Sequence, residues 1–115
     1  YKNKKIKILL MGITFKEDCA DLRNSQVLNI YNYFKNKNYV DLYDPNVEKN
    51  EVKKYFKTTT KNFLKKNYYD LIIITVGHKL FKSIGINKIQ TYLKNKKMIV
   101  DLKGIFSKNH SIFRL

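Results

Sequence analysis

The sequence predicts an α/β domain, an open parallel sheet with helices on both faces. Three observations carry that expectation. Short apolar runs alternate with amphipathic stretches along the whole chain, the pattern of strands joined by helical crossovers. The run Asp70-Leu71-Ile72-Ile73-Ile74-Thr75-Val76 is almost continuously apolar and β-branched, as a central strand covered on both faces must be. The 115 residues, 43% of them hydrophobic, suffice for one core and are too few for two.

The first strand is expected from Lys5 to Met11. It feeds a loop, Gly12 to Ser25, about twice as long as the roughly 2–6 residues usual between strand and helix. That loop holds Lys16, Arg23, Glu17, Asp18 and Asp21, and it leaves the carboxyl end of a strand, where open α/β sheets bind ligands. A helix follows from Ser25 to Lys37, with Val27, Leu28, Tyr31 and Phe34 on one face, Ile30 beside them, and Asn24 or Ser25 as N-cap. The second strand is Val40 to Tyr43. Asp44-Pro45 then reads as a cap followed by proline at the first helical position, opening a helix from Asn46 to Phe56 that buries Val47, Val52, Tyr55 and Phe56. Thr58 to Thr60 end it, and Thr60 is placed to cap a short helix through Asn62, Phe63 and Leu64. The third strand, Asp70 to Val76, ends at Gly77-His78. Two helical pieces, Lys79 to Ser83 and Asn87 to Leu93, are separated by Gly85. The last strand is Met98 to Leu102, followed by Lys103-Gly104 and an irregular tail to Leu115.

Composition narrows the function. The net charge is +15, and every basic residue except Arg23 and Arg114 is lysine. Such a balance is compatible with nucleic acid, yet the lysines are spread evenly among asparagines and isoleucines, which reads as compositional bias rather than a patch. The positive field still favours a polyphosphate ligand. No apolar run approaches the roughly 20 residues of a membrane span, and nothing resembles a signal peptide. Tyr1 in place of methionine leads us to expect a chain cut from something longer or processed. The single cysteine, Cys19, has no internal disulfide partner and fits a reducing cytoplasm.

Neither G-x-G-x-x-G nor G-x-x-x-x-G-K-[ST] occurs, so the domain is not expected to hold NAD or ATP phosphates in a glycine cradle. Anion binding would fall to Lys16, Arg23 or the amino end of the first helix. Cys19 lies near Lys16 and Arg23, which favour a thiolate, but no histidine is close in sequence and a nucleophile is not expected there. Asp44 stands where an acidic residue reads ribose hydroxyls in dinucleotide folds; without the glycines, a cap is the better reading. His78 ends the third strand on the ligand edge and is read as a surface residue. No metal cluster is expected from two histidines and one cysteine at scattered positions.

The loop residues Phe15-Lys16-Glu17-Asp18-Cys19-Ala20-Asp21-Leu22-Arg23-Asn24-Ser25 closely resemble the F-K-x-x-x-x-D-x-R-x-S signature of the UDP-glucose/GDP-mannose dehydrogenase family. In that family the signature opens the C-terminal UDP-binding domain. Tyr43-Asp44-Pro45, Val76-Gly77-His78 and Asp101-Leu102-Lys103 follow in the same order, in the form of the branch acting on UDP-N-acetylhexosamines. The resemblance implies a Rossmann-like UDP-binding domain spanning residues 1–115. The NAD-binding domain, and a central helical domain bearing the catalytic cysteine and most of a homodimer interface, would lie outside this chain. It also implies a cytoplasmic bacterial enzyme that oxidises a UDP-sugar at C6 in two NAD-dependent steps for surface polysaccharide. By itself the fragment would be inactive and monomeric. By position, Phe15 and Lys16 contact the sugar nucleotide and Arg23 reaches toward NAD. Lys103 stands where many relatives carry a substrate-binding arginine, and Arg114 is the second candidate for that role. Asp18 and Asp21 order the loop, and Ala20 replaces the usual proline. The rival readings are a basic α/β module for nucleic acid, and a receiver-like domain; the latter is disfavoured because the first strand lacks a terminal acidic pair.

Overall fold

The computed structural model describes residues 4–106 and 112–114. Among the described residues, five strands and four helices follow in the order β1 (Lys7–Met11), α1 (Val27–Lys35), β2 (Tyr39–Tyr43), α2 (Lys49–Phe56), β3 (Tyr69–Ile74), α3 (Lys79–Ile84), α4 (Ile86–Gln90), β4 (Leu93–Asp101) and β5 (Ile112–Arg114). They form one sheet in the order β2-β1-β3-β4-β5 with every pair parallel. All five carboxyl ends therefore lie along one edge.

Strand alternation sends neighbouring residues to opposite faces, and each face meets its own helices. Ile8, Leu10, Leu42 and Ile73 pack with Val27 and Tyr31 of α1 and Val52 and Phe56 of α2. Leu9, Met11, Ile72 and Ile74 pack on the other side with Phe81 of α3 and Ile89 of α4. Both faces are covered, which is why β1 and β3 carry apolar residues without alternation.

Several boundaries move. The irregular tail contains β5, which pairs with β4 from Ile99↔Ile112 to Asp101↔Arg114; three residues on a sheet edge leave too short a pattern to read. Residues 107–111 and 115 of that tail lie outside the described residues. The helix expected through Leu93 stops at Gln90, and β4 begins at Leu93, with a register shift between its pairings to Tyr69 and Leu71. No helix forms over Asn62 to Leu64. Thr60 pairs with Leu42 as an isolated parallel bridge, and its carbonyl and hydroxyl both accept from Lys49 Nζ (2.7 and 3.3 Å). A residue so engaged in extending the β2 edge is not available as a cap.

The second helix also starts late. Asp44 Oδ1 accepts from Asn46 N–H at 3.0 Å, which makes a side-chain-closed turn, and α2 begins only at Lys49. Asp44 is therefore not the cap of that helix. The N-cap of α1 is Gln26, not Asn24 or Ser25, and it makes no side-chain cap bond; the Ser25 hydroxyl lies just before it, accepting from Val27 N–H (3.2 Å) and donating to Ile13 O (2.7 Å).

Candidate functional site

The long loop leaves β1 at Gly12, where two constraints require glycine. Its φ is +94°, and a Cβ there would lie 2.6 Å from Val76 Cβ. Gly12 N–H donates to Tyr43 O at 2.9 Å, so the chain crosses between the ends of β2 and β3 with no room for a side chain. Thr75 closes the other side, its hydroxyl donating to Met11 O (2.9 Å) and to Gly12 O.

From Gly12 onward the loop is held by side chains of two other strand ends. Asp44, 1% exposed after β2, accepts on Oδ2 from Ile13 N–H (2.8 Å) and from His78 Nε2–H (2.9 Å). His78, after β3, is completely buried, which corrects its reading as a surface residue. Its Nδ1 accepts from Asp18 N–H at 2.8 Å, with the Asn46 side-chain amide at 3.3 Å. Thr14 Oγ1 lies 3.3 Å from Nε2 and donates to Lys16 O at 2.8 Å. These partners define the tautomer. Nδ1 faces two N–H donors and must be bare, so Nε2 carries the proton.

The rest of the loop bonds to itself and to α3. Phe15 N–H donates to Asp21 O at 2.8 Å. Asp18, at φ +58°, accepts on Oδ1 from Lys79 N–H at 2.8 Å, tying the loop to the start of α3. Cys19 Sγ donates to Lys16 O at 3.3 Å, so Lys16 O accepts from two side chains.

Phe15 is 55% exposed and Lys16 is also exposed, so the held backbone presents both side chains to solvent. Arg23 forms a two-pronged pair with Asp21, Nε to Oδ1 and Nη2 to Oδ2, each 3.1 Å. Hydrogen bonding to the guanidinium lowers the Asp21 pKa from the usual carboxylate range. Both groups remain open to solvent, so the pair is exchangeable. Lys103 is exposed just after β4, with its stem against Gly77: a Cβ on Gly77 would lie 3.4 Å from Lys103 Cβ and 2.9 Å from Ile105 Cγ2. Arg114 ends β5 in register with Asp101, and its side chain lies outside the described residues. Phe15, Lys16, Lys103 and Arg114 thus belong to segments at the same sheet edge.

Sequence reasoning missed His78 and the full part played by Asp44. The available signal was position, since Asp44 directly follows β2 and His78 lies four residues beyond β3, the two strands flanking β1. Among the described residues no group of histidine, cysteine and carboxylate side chains is placed to hold a metal. A cavity of about 300 Å³ lies away from the edge, lined by residues including Asp41, Lys61, Phe63, Tyr68 and Tyr69.

A five-stranded parallel sheet with a stitched, cation-bearing loop at its carboxyl edge defines a Rossmann-like ligand-binding domain. Residues 9–108 match the family model described as the UDP-glucose/GDP-mannose dehydrogenase family, UDP binding domain, and the chain belongs to that family. It is 35% identical over 109 residues to the UDP-N-acetyl-D-glucosamine 6-dehydrogenase of Salmonella typhi, covering 94% of this chain and 26% of that protein. It is 36% identical over 110 residues to the enzyme of the same name from Pseudomonas aeruginosa, covering 95% and 26%. The chain thus spans about a quarter of the length of these relatives. Among solved structures, the UDP-D-ManNAc dehydrogenase from Pyrococcus horikoshii superposes with a TM-score of 0.77 at 24% identity, over 98% of this chain and 26% of that one. The UDP-N-acetyl-mannosamine dehydrogenase from S. aureus gives 0.73 at 22% identity, over 96% and 26%. These likenesses bear out the parallel α/β fold.

Proposed function

We propose that this domain binds the nucleotide end of a UDP-N-acetylhexosamine within an NAD-dependent 6-dehydrogenase that supplies uronic acids for surface polysaccharide. The observation that carries this is the Phe15–Ser25 signature, seated at the carboxyl edge of a domain whose residues 9–108 match the family. The enzyme would be cytoplasmic and bacterial, where a lone cysteine stays reduced. Its other domains, and a homodimeric assembly, would complete the cleft.

Within that reading each exposed residue has a fitting chemistry. Lys16 offers a point charge on a flexible stem to a pyrophosphate or sugar oxygen. Phe15 offers a ring face to the base or sugar. Lys103 and Arg114 add cations at the ends of β4 and β5. Arg23 would exchange Asp21 for phosphate oxygens on the cofactor side, its planar fork suiting either acceptor.

On this reading the loop after β1 is not the cradle for NAD. Gly12 is the lone glycine of the loop, and the N–H groups of Ile13, Phe15 and Asp18 already donate within the protein. The dinucleotide phosphates would rest on a different domain, and the isolated chain would carry out no oxidation.

Titration of the isotope-labelled chain with UDP, followed by amide shifts, tests the reading. A dissociation constant of about 1 mM is expected, with shifts centred on Phe15, Lys16 and Lys103. No shifts at about 10 mM UDP would overturn it. So would stronger, steeply salt-dependent binding of an oligonucleotide that UDP does not displace, the mark of a phosphate-backbone binder.

A further inference from the structure

Lys16 and Phe15 are displayed by a backbone whose bonds to itself, such as Phe15 N–H to Asp21 O and Cys19 Sγ to Lys16 O, do not fix it against the sheet. Between Gly12 and Ser25 no regular element forms, and the loop is long enough to adopt many conformations. Its placement on the sheet comes from contacts to the ends of β2 and β3, and several of these meet at one imidazole. His78 Nδ1 holds the Asp18 amide, and Nε2 faces Asp44 and Thr14. Asp44 holds Ile13 N–H, and Thr14 holds Lys16 O. The ring thus links the bonds that hold the residues before and after Phe15-Lys16. It is wholly buried and touches the Phe81 ring, 5.2 Å between centroids, so it has no route to the ligand.

We propose that His78 is the positioning residue of the sugar-nucleotide loop, acting through the bare Nδ1 of its Nε2–H tautomer. The proposal rests on the reading of the loop as the nucleotide contact. One nitrogen anchors the ring to the rigid carboxylate of Asp44, and the other transmits that anchoring to Asp18 across 60 residues of sequence. Asp18 in turn holds Lys79 N–H, so the loop and the first turn of α3 are fixed by the same ring. A protonated Nδ1 would set an N–H against the Asp18 and Asn46 donors and release the loop. Asp44 faces the other ring nitrogen from the end of β2, and the Asp18 carboxylate is engaged by Lys79 N–H. From α3 the ring meets the Phe81 side chain.

The first test is spectroscopic. Long-range proton–nitrogen correlation on the isotope-labelled chain near neutral pH should show a protonated Nε2, a bare Nδ1 and a slowly exchanging Asp18 amide. The opposite tautomer, or an Asp18 amide exchanging as fast as an open loop, would overturn the proposal. The second test separates the two ring nitrogens. In His78→Asn the side-chain carbonyl stands near the place of Nδ1 and keeps an acceptor for Asp18. In His78→Gln the amide reaches the place of Nε2 and keeps the donor to Asp44.

If positioning runs through Nδ1, His78→Asn should bind UDP within about threefold of wild type and His78→Gln about tenfold more weakly, whatever their melting temperatures. Affinity that tracks melting temperature alone, or a Gln variant binding as well as the Asn variant, would reduce His78 to a structural role. Failure of the unaltered chain to bind UDP would sink the functional reading instead, with the tautomer and exchange results still deciding the geometry. Variants that do not fold leave those wild-type measurements as the deciding ones.

Discussion

Two aspartates three residues apart behave as different chemical groups. Asp44, beyond the end of β2, is buried and accepts from Ile13 N–H, Asn46 N–H and His78 Nε2–H. Asp41, in the middle of β2, is a quarter exposed at its side chain, accepts from Tyr69 O–H at 2.6 Å and has Lys61 Nζ at 3.9 Å. Water can replace a lost partner at Asp41 and cannot at Asp44. A buried carboxylate with satisfied donors organises structure because each of those donors would be orphaned without it. A carboxylate open to solvent tunes local stability and little else.

The largest expected effect is at Asp44. Asp44→Ala orphans two buried donors, Ile13 N–H and His78 Nε2–H, and at about 1–3 kcal/mol for each should cost roughly 2–6 kcal/mol, read as a drop in the urea midpoint. A loss below about 1 kcal/mol would place Asp44 in the same class as Asp41 and break the comparison.

Lys16→Ala sharpens the comparison from the functional side, since the network should hold the loop backbone without that side chain. UDP affinity should fall about ten- to a hundredfold, the loss of a charge-assisted hydrogen bond worth roughly 1.5–3 kcal/mol, with the urea midpoint unchanged. In the longer dehydrogenase we propose, the same variant should raise KM for the UDP-sugar, and Arg23→Ala should raise KM for NAD. Equal impairment toward both substrates would make the loop a general electrostatic attractor.

At Asp41 the effects should be smaller. Tyr69→Phe removes one hydrogen bond that water partly replaces and should cost about 1 kcal/mol. Burial, then the hydrogen bond to Asp41, raises the Tyr69 pKa well above the ordinary tyrosine value, and burial raises that of Tyr43 as well. Groups whose folded pKa is raised contribute stability that is complete below the unfolded value, about 10 for tyrosine, and is lost as pH rises beyond it. Urea midpoints should therefore fall between pH about 9 and about 11, and fall less in Tyr69→Phe. A pH-independent midpoint over that range would show that neither phenol is held neutral by the fold.

Lys61→Ala is the smallest, at no more than about 0.5 kcal/mol, because the pair is long and open to salt. A loss as large as that of Tyr69→Phe would mean that Asp41 depends on its cation as Asp44 depends on its donors.

Much of the molecule is legible in the chain. The unbroken β-branched run of β3, the amphipathic spacing of α1 and the unusually long loop after β1 are local patterns, and burial imposes such patterns on the residues that experience it. The loop signature is local too, and it sufficed to indicate the family. The bonds that hold this loop are another matter. Ile13 meets Asp44 across 31 residues, and Thr14 meets His78 across 64, contacts that exist only because β1 lies between β2 and β3. The same strand order buries His78 in spite of its position after a glycine, commits Thr60 to Leu42 in place of a helix cap, and gives β5 a partner. Periodicity records which face of an element meets the core. Which polar atom meets which depends on the order of strands across the sheet, and that order was set only when the chain folded.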